Sequence, residues 1–568
     1  MGLTGFLKEK FCQEDPAQVK REASWLLKRM YDQRWSILLV AVLSLLATAM
    51  GLASSVASKH LIDAVTGFGA ERLAAAAAAL VLLSLSSLGL HALSRCTGAR
   101  IHIRLRNAMQ QNTYSRILRS EWEALEPYRS GDLLNRLSSD VATVVDGIIG
   151  FLPGLLSALL KFAGAFGIMV VYDPVMAMIA LLGVPVTLAF SRVLMSRLRS
   201  HNLQMKQLGS DVMSFQEDSF RNLTGIKTFS VADRFEEQMG NLQNSYADAY
   251  LSFNTFQIRM SSALSVVSML VSASCFGWGV FQLWRGQITY GSLTMFLQLA
   301  GTLRGAFSSL VTLAQQAISL TTSAGRVMAV EALPEEDMAV PEGLLREEKL
   351  NIRLQGVSFS YQNGERVLEP FVFFADHGDV IALTGPSGEG KTTLLRLLLG
   401  LVKPDGGEAC LVGNSGIAYP IGAGTRKVFA YVPQGNSIFS GTIADNLRLT
   451  SPDASREEME QALEIACALD FVKQLPDGLD HRLGASGRGI SEGQAQRLAI
   501  ARALLCKAPV LLLDEATSGL DVATEGALLQ NLHNCGWVST CILVTHRAAG
   551  AAQCSRKYEI INGNVKEL

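Results

Sequence analysis

The sequence lacks an excess of either charge and lacks paired cysteines. Fifty lysine and arginine residues balance 51 aspartate and glutamate residues, so bulk electrostatics give no indication of a nucleic-acid partner. The nine cysteines are scattered, with no Cys-x-x-Cys pair and no spacing typical of metal ligands. We therefore expect no nucleic acid as partner and reduced thiols, as in a chain whose soluble part faces the cytosol.

Charged residues are also scarce. They make up 18% of the chain, and the mean hydropathy is +0.25, a balance that suits a protein partly dissolved in lipid. A chain of 568 residues is too long for a single hydrophobic core, so at least two domains are expected. The first long apolar run follows a charged segment and is long enough to span a bilayer, so no cleavable signal peptide is expected.

The first 330 residues contain six apolar stretches near the length of about 20 residues that a membrane helix needs. They are residues 35–58, 73–90, 147–172, 174–191, 260–284 and 287–303. Only the third carries an internal charge, Lys161, and Arg304 directly follows the sixth. We predict six transmembrane helices that contact the lipid bilayer.

The connections between these stretches alternate between short and long. The long ones, 92–146 and 192–259, are charged and helix-like and hold most of the basic residues. Because basic residues favour the cytosolic side, both termini are expected in the cytosol. Before the first span, apolar residues at helical spacing (Ala23, Leu26, Leu27, Met30 and Tyr31) predict an interfacial helix, with an ordinary packed helix as the alternative.

Lys161 and Arg304 allow two interpretations, since an ion within a span usually faces a partner, a cavity or water. Both could line a cavity for an anionic substrate. Alternatively, Arg304 extends to the cytosolic surface and Lys161 pairs with a carbonyl or carboxylate.

A glycine-rich segment follows the predicted strand 380–384 and precedes an apolar helix. It reads Gly385-Pro386-Ser387-Gly388-Glu389-Gly390-Lys391-Thr392-Thr393. A strand, a glycine turn and a helix N-terminus together surround phosphates with backbone N–H groups. Lys391 is expected at the β- and γ-phosphates, Thr392 at Mg²⁺ and Thr393 towards the α-phosphate.

A second run, residues 510–515, is an apolar strand that ends in Asp514 and Glu515. Buried parallel strands deliver such carboxylates to their C-terminal edge. Asp514 suits Mg²⁺ through water, and Glu515 is placed to orient or deprotonate the attacking water. The alternative is that the two acids only cap the next helix.

These motifs, in this order, resemble those of exporter-type ATP-binding cassette (ABC) transporters, with membrane domain and cassette fused in one half-transporter. The resemblance covers nearly the whole chain. It implies ATP and Mg²⁺ as cofactors and a second half-transporter as partner. The phosphate loop would contribute Gly385, Ser387, Gly388, Gly390, Lys391, Thr392 and Thr393 to ATP binding.

The resemblance assigns further residues. Tyr361 would stack on adenine, with Phe359 as the nearby alternative; otherwise the aromatic side chain only fills the strand core. Gln434 would contact Mg²⁺ and water, and His546 the γ-phosphate. Ser491, Gly493 and Gln494 resemble the signature that caps ATP on the opposite subunit, and Asp521 lies in the loop that crosses the dimer seam. The catalytic set would be Glu515, His546 and Gln434, and the metal set Thr392, Gln434 and Asp514.

In the first half, Gly131, Arg136 and Asp140 resemble the family's first intracellular loop, and residues 217–229 resemble the second. Short helices in these loops would dock onto the cassettes.

Three positions depart from the family pattern. Glu492 replaces the first glycine of the signature, Gly519 replaces an alanine, and Ala485 stands where a glutamate is common. These departures leave room for two unequal sites.

We therefore predict a multi-domain membrane protein: an all-α six-helix transmembrane domain plus an α/β P-loop cassette with a helical subdomain. The predicted segments are 1–34 (cytosolic, with the interfacial helix), 35–325 (transmembrane), 326–349 (linker) and 350–568 (nucleotide-binding). The predicted function is ATP-driven transport, with export of an amphiphilic, peptide, lipid or drug-like substrate across the cell membrane. Import of a metal chelate and an ATP-gated regulatory protein are the alternatives; a homodimer is expected first, a heterodimer second.

Overall fold

The computed structural model describes residues 16–67, 70–128, 130–181, 222–361, 366–435, 437–484 and 487–568, together with 201, 204–205, 208–209, 211–220 and 364. The chain divides into two compact units. The helical unit comprises Met1–Tyr114 and Ser130–Glu331, and the sheet unit comprises Ser115–Arg129 and Ala332–Leu568.

Long helices dominate the first unit. The described helices in this part of the chain are α1 (Pro16–Asp32), α2 (Arg34–Thr66), α3 (Ala70–Arg119), the six-residue α5 (Ser130–Asn135), α6 (Val141–Tyr172), the six-residue α7 (Leu223–Thr228), α8 (Ala232–Trp284) and α9 (Tyr290–Glu331). The short α4 (Trp122–Leu125), between α3 and α5, belongs to the sheet unit. A π-helical turn, Arg136–Asp140, joins α5 to α6, and residues 174–181 are helical.

Three helices in the described part of the chain are long and apolar enough to cross a membrane: Arg34–Thr66, Arg72–Arg119 and Ser130–Tyr172. They contain the predicted spans 35–58, 73–90 and 147–172. The fourth predicted span lies within the described residues only as far as 181, and the last two fall in α8 and α9. Because α8 has 53 residues, it is about 80 Å long, far more than the roughly 30 Å of a bilayer core.

Helix α1 has two different apolar faces. Leu26 is buried in a cluster with Ile37, Met109 and Val145. On the other side, Leu27 and Tyr31 remain exposed. Helix α1 is therefore packed along one face and exposes apolar side chains on another.

The sheet unit contains two main sheets. An antiparallel sheet has the order β2-β1-β4-β5, and a six-stranded sheet has the order β12-β11-β3-β10-β9-β6, parallel from β11 to β6. The strands are β1 (Leu350–Ser360), β2 (Arg366–Ala375), β3 (Val380–Thr384), β4 (Gly406–Gly413), β5 (Ala418–Pro420), β6 (Phe429–Val432), β7 (Gly441–Thr442), β8 (Arg482–Leu483), β9 (Val510–Asp514), β10 (Thr540–Val544), β11 (Arg556–Ile561) and β12 (Asn564–Glu567).

The helices of this unit pack against the parallel sheet and against one another. They are α10 (Lys391–Leu398), α11 (Ile443–Arg448), α12 (Arg456–Ile465), α13 (Leu469–Gln474), α14 (Glu492–Leu504), α15 (Val522–Asn534) and α16 (Ala548–Ala552). Both β9 and β10 are buried along their whole length, as expected for central strands covered on two faces.

The strand order determines which loops meet. Because β3, β10, β9 and β6 are parallel neighbours, their carboxyl ends share one edge of the sheet. The residues that follow these four ends are Gly385, Thr545, Glu515 and Pro433. All four belong to segments predicted to handle a nucleotide.

Candidate functional site

The phosphate loop connects β3 to α10. Gly385 has φ +136°, and a Cβ at this position would lie 2.2 Å from the carbonyl oxygen of Ile560, so only glycine fits. Gly388 and Gly390 also have positive φ, at +88° and +104°. Ser387 and Gly388 are exposed on the loop, whereas Gly390 is buried at the helix start.

Lys391 begins α10 and is 5% exposed. Its Nζ donates to the carbonyl oxygens of Gly385 (2.9 Å) and Pro386 (2.7 Å). Burial lowers the pKa of Lys391, and the carboxylates of Glu515 and Asp514 oppose that shift. The ammonium therefore lies inside the loop, near two acids and bonded to loop carbonyl oxygens, where it could contact the phosphates of a bound nucleotide.

Asp514 ends β9 and is only 1% exposed. Its Oδ1 accepts a hydrogen bond from the Thr392 hydroxyl at 3.3 Å, and its Oδ2 accepts one from the Tyr431 hydroxyl at 3.3 Å. Burial raises the pKa of Asp514, and both hydroxyls oppose that shift. A buried carboxylate beside a hydroxyl is a set of hard oxygen donors that fits Mg²⁺.

Glu515 lies between two side chains that the sequence motifs singled out. Its Oε2 accepts from Gln434 Nε2 at 2.8 Å, and its Oε1 is 3.1 Å from His546 Nε2. The residue has φ +50°, an uncommon conformation for a non-glycine residue, and one that clusters at active sites. The three side chains predicted to be catalytic thus form one group next to Asp514.

Tyr361 lies beside the phosphate-loop helix. Its hydroxyl is 3.2 Å from Thr393 Oγ1 and accepts a hydrogen bond from Arg396 at 2.8 Å. Phe359 packs edge-on against the Tyr361 ring, with 4.9 Å between ring centres, and is 3% exposed. Of the two aromatic residues, the partly exposed Tyr361 is the one that a base could contact.

The signature segment begins α14. Ser491 is the N-cap: its Oγ accepts from Gln494 N at 3.3 Å, and its own N–H donates to Gln494 Oε1 at 2.8 Å. A Cβ on Gly493 would lie 2.7 Å from the carbonyl oxygen of Gly519. Glu492 is exposed in the first turn of the helix.

Within the part of the chain that the structure describes, no hydrogen bond joins Ser491, Gly493 or Gln494 to the phosphate loop. Asp521 is the N-cap of α15 and accepts two hydrogen bonds from Thr524, at 2.9 and 2.7 Å. The structure therefore gathers one group of predicted residues around β3, β9 and β10, and leaves the signature outside that group. Ala485 lies outside the described residues.

Sequence motifs assigned no role to four side chains that connect these segments. Tyr431 contacts Asp514, and Arg396 contacts Tyr361. Gln496 binds Ser518 and the N–H of Gly519, and Arg547 donates to the carbonyl oxygens of Ser518 and Leu520. Their proximity in sequence to Gln434, Lys391, Gln494 and His546 was the only signal available.

The short helix α4 packs within the sheet unit. The Lys403 ammonium forms an ion pair with Glu121 at 2.6 Å, and the backbone N–H of Lys403 donates to the Glu123 carboxylate at 2.9 Å. The Arg396 guanidinium lies 5.9 Å from the centre of the Trp122 ring. The helix that contacts the cassette therefore lies just before the predicted first-loop motif.

That motif itself lies in the helical unit. Arg136 donates to Asp132 at 2.8 Å, and Arg326 near the end of α9 donates to Asp132 at 2.6 Å. Asp140 is 6% exposed; it accepts from Ser323 at 3.0 Å and lies 3.2 Å from Arg326 Nε. The charged residues thus tie α5 and the start of α6 to α9. In the second predicted loop, Phe229 is exposed.

Two family models match the chain: ABC transporter transmembrane region over residues 37–307 and ABC transporter over residues 368–518. An uncharacterized ABC transporter ATP-binding protein of Bacillus subtilis is 30% identical over 77% of this chain and 73% of its own length. The beta-(1→2)glucan export ATP-binding/permease protein NdvA of Rhizobium johnstonii is 30% identical over 66% of this chain and 64% of its own.

A solved structure of a bacterial Atm1-family ABC exporter with ATP bound superposes with a TM-score of 0.81, covers 94% of this chain and 95% of its own, and is 23% identical. That likeness shows the fold, a helical membrane domain fused to an α/β cassette. Together with the relatives and the two matching models, it establishes that this chain belongs to the ABC transporter family and is a membrane protein that binds ATP and couples its hydrolysis to transport.

Proposed function

We propose that the chain is one half of a dimeric exporter that hydrolyses ATP at the group formed by Gln434, Glu515 and His546. The observation that carries this proposal is the position of Glu515. Its carboxylate accepts from Gln434 at 2.8 Å, lies 3.1 Å from His546, and follows the buried Asp514 directly. A carboxylate held this way can orient and deprotonate an attacking water.

The remaining residues would position the nucleotide. Lys391 and the loop N–H groups from Gly385 to Gly390 would neutralise and cradle the phosphates, while Tyr361 would stack on the base. Thr392, Asp514 and Gln434 would hold Mg²⁺, which when bound neutralises charge on the phosphates.

We infer that each complete site needs a second chain. Ser491, Gly493 and Gln494 form a capped helix N-terminus, which favours an anion, yet they have no hydrogen bond to the phosphate loop of their own chain within the described residues. A partner's triphosphate would bind at this helix N-terminus. Clamping of two cassettes around ATP changes the transporter only because ATP binds the closed state better than the open one.

A complementation experiment tests the dimer. Lys391→Ala removes the phosphate-binding ammonium, and Ser491→Arg blocks the signature, so each variant alone should lack ATPase activity. If two copies of this chain form the sites, mixed dimers contain one intact site and regain part of the activity. Absence of recovery, with mixed dimers confirmed by native mass spectrometry, would refute the homodimer.

The proposed orientation places the cassette in the cytosol of a cell and the helices in its cell membrane, and the proposed direction is outward. The direction is supported by a relative named for glucan export. Inside-out vesicles that contain the protein should accumulate a labelled amphiphilic, lipid or peptide substrate when ATP is added. Accumulation in right-side-out vesicles with internal ATP would instead show import.

A further inference from the structure

Tyr431 is a partly buried residue near the candidate metal site that the sequence motifs left unassigned. It lies on β6, the strand at the end of the six-stranded sheet. Its Cα partner across the parallel pair is Leu512 of β9, two residues before Asp514. Because alternate residues of a strand share a face, Leu512 and Asp514 lie on the same side of the sheet as Tyr431.

The geometry explains how the hydroxyl reaches the carboxylate. Two residues of a parallel strand advance about 6.6 Å, a distance that the length of a tyrosine side chain spans. The Tyr431 ring therefore runs alongside Leu512, and its hydroxyl ends 3.3 Å from Asp514 Oδ2. A phenylalanine would fill the same space without reaching the carboxylate.

The two oxygens of Asp514 are held from different elements. Thr392 at the start of α10 donates to Oδ1, and Tyr431 on β6 donates to Oδ2, each at 3.3 Å. A carboxylate has about four lone-pair positions, so two remain to accept from water or a metal-bound water. Because both oxygens are held, the carboxylate cannot rotate freely. Its two remaining lone pairs therefore stay in a fixed orientation.

We propose that Tyr431 is a positioning residue that orients the Asp514 carboxylate for Mg²⁺ and so sets the metal requirement of nucleotide binding. The proposal rests on the proposed function, because it assumes that Asp514 serves the metal. In the proposed arrangement Tyr431 would act only through Asp514, to which its hydroxyl donates. Its effect should therefore appear in the metal dependence and not in the metal-free affinity for ATP.

The test uses the full chain in nanodiscs with Tyr431→Phe, Asp514→Asn and a matched control, Tyr558→Phe. Tyr558 is also a buried tyrosine in the same sheet, but its hydroxyl bonds the backbone of Phe374 and the side chains of Arg556 and Glu567. Two quantities are measured without turnover. One is the dissociation constant of a fluorescent ATP analogue in EDTA. The other is the Mg²⁺ concentration that gives half of the increase in analogue affinity caused by Mg²⁺.

Tyr431→Phe should raise the half-effective Mg²⁺ concentration about fivefold, equivalent to about 1 kcal/mol, the usual contribution of one hydrogen bond. The affinity in EDTA should stay within twofold. Tyr558→Phe should change neither quantity, and Asp514→Asn should abolish the Mg²⁺ response.

An unchanged Mg²⁺ requirement in Tyr431→Phe, with the response lost in Asp514→Asn, would overturn the proposal and leave the proposed function standing. Equal increases in Tyr431→Phe and Tyr558→Phe would also overturn it, since loss of packing would then explain both. A normal Mg²⁺ response in Asp514→Asn would refute the metal site itself.

Discussion

Replacing Glu515 with glutamine should abolish turnover while leaving ATP binding intact. The substitution keeps the length and shape of the side chain and removes the negative charge and the basic oxygen. At φ +50° glutamine bears the same backbone cost as glutamate, so no new strain is introduced. The amide oxygen can still accept from Gln434 Nε2, and the amide N–H can donate to His546.

Because the glutamine keeps the contacts of Glu515 with Gln434 and His546, the expected loss of turnover reflects only the missing base. A positioned general base contributes about 10²- to 10⁴-fold to a rate, or about 3–5 kcal/mol of barrier. ATP binding relies on Lys391 and the loop N–H groups, which the substitution does not touch. We therefore expect a 10²- to 10⁴-fold loss in the rate of phosphate release, with the ATP dissociation constant within about threefold.

The assay compares phosphate release by the purified protein in nanodiscs with equilibrium binding of a fluorescent ATP analogue. Glu559→Gln is the matched control: Glu559 is a partly buried glutamate on β11 that lines the same cleft as Gly385 and His546, with no assigned role. It should retain wild-type turnover. A Glu515→Gln protein with wild-type turnover, or an equal loss in both variants, would refute the assignment of Glu515 as the base.

Three further predictions concern structure and transport. Gly385→Ala should lower the free energy of unfolding of the cassette by about 2 kcal/mol or more, because its Cβ would meet the Ile560 carbonyl oxygen at 2.2 Å; an unchanged thermal unfolding midpoint would contradict this. Arg326→Met should destabilise the protein by about 1–3 kcal/mol, because it leaves the buried Asp140 carboxylate without the Arg326 cation. Adding Asp140→Asn should restore part of the lost stability, as measured by the thermal unfolding midpoint. If Lys161 lines a cavity for an anionic substrate, Lys161→Met should weaken substrate-stimulated ATPase activity, and unchanged stimulation and transport would eliminate that role.

Glu492 departs from the family's signature pattern, and the described part of the structure shows no contact of its side chain that would assign it a role. It is exposed in the first turn of α14, where an acid stabilises a helix N-terminus by about 0.3–1 kcal/mol. The same position would face a partner's triphosphate if two chains join as proposed.

The sequence by itself determined the local chemistry. A glycine-rich turn between an apolar strand and a helix has few uses other than holding phosphates, and an apolar strand ending in Asp514 and Glu515 presents acids at a sheet edge. Long uncharged runs such as 35–58 likewise have few stable environments outside a bilayer. These features depend on residues close together in the chain, so their pattern was sufficient.

Only the tertiary structure decided which of these segments meet. The strand order β3-β10-β9-β6 brings four separate carboxyl ends to one edge, and this order, not the spacing in sequence, places Gln434 and His546 on Glu515. The hydroxyl of Tyr431 reaches Asp514 because β6 pairs with β9 in one register, and a shift by one residue would turn the ring to the opposite face. These contacts join residues that are 31, 81 and 83 positions apart, for which local sequence carries no distance information.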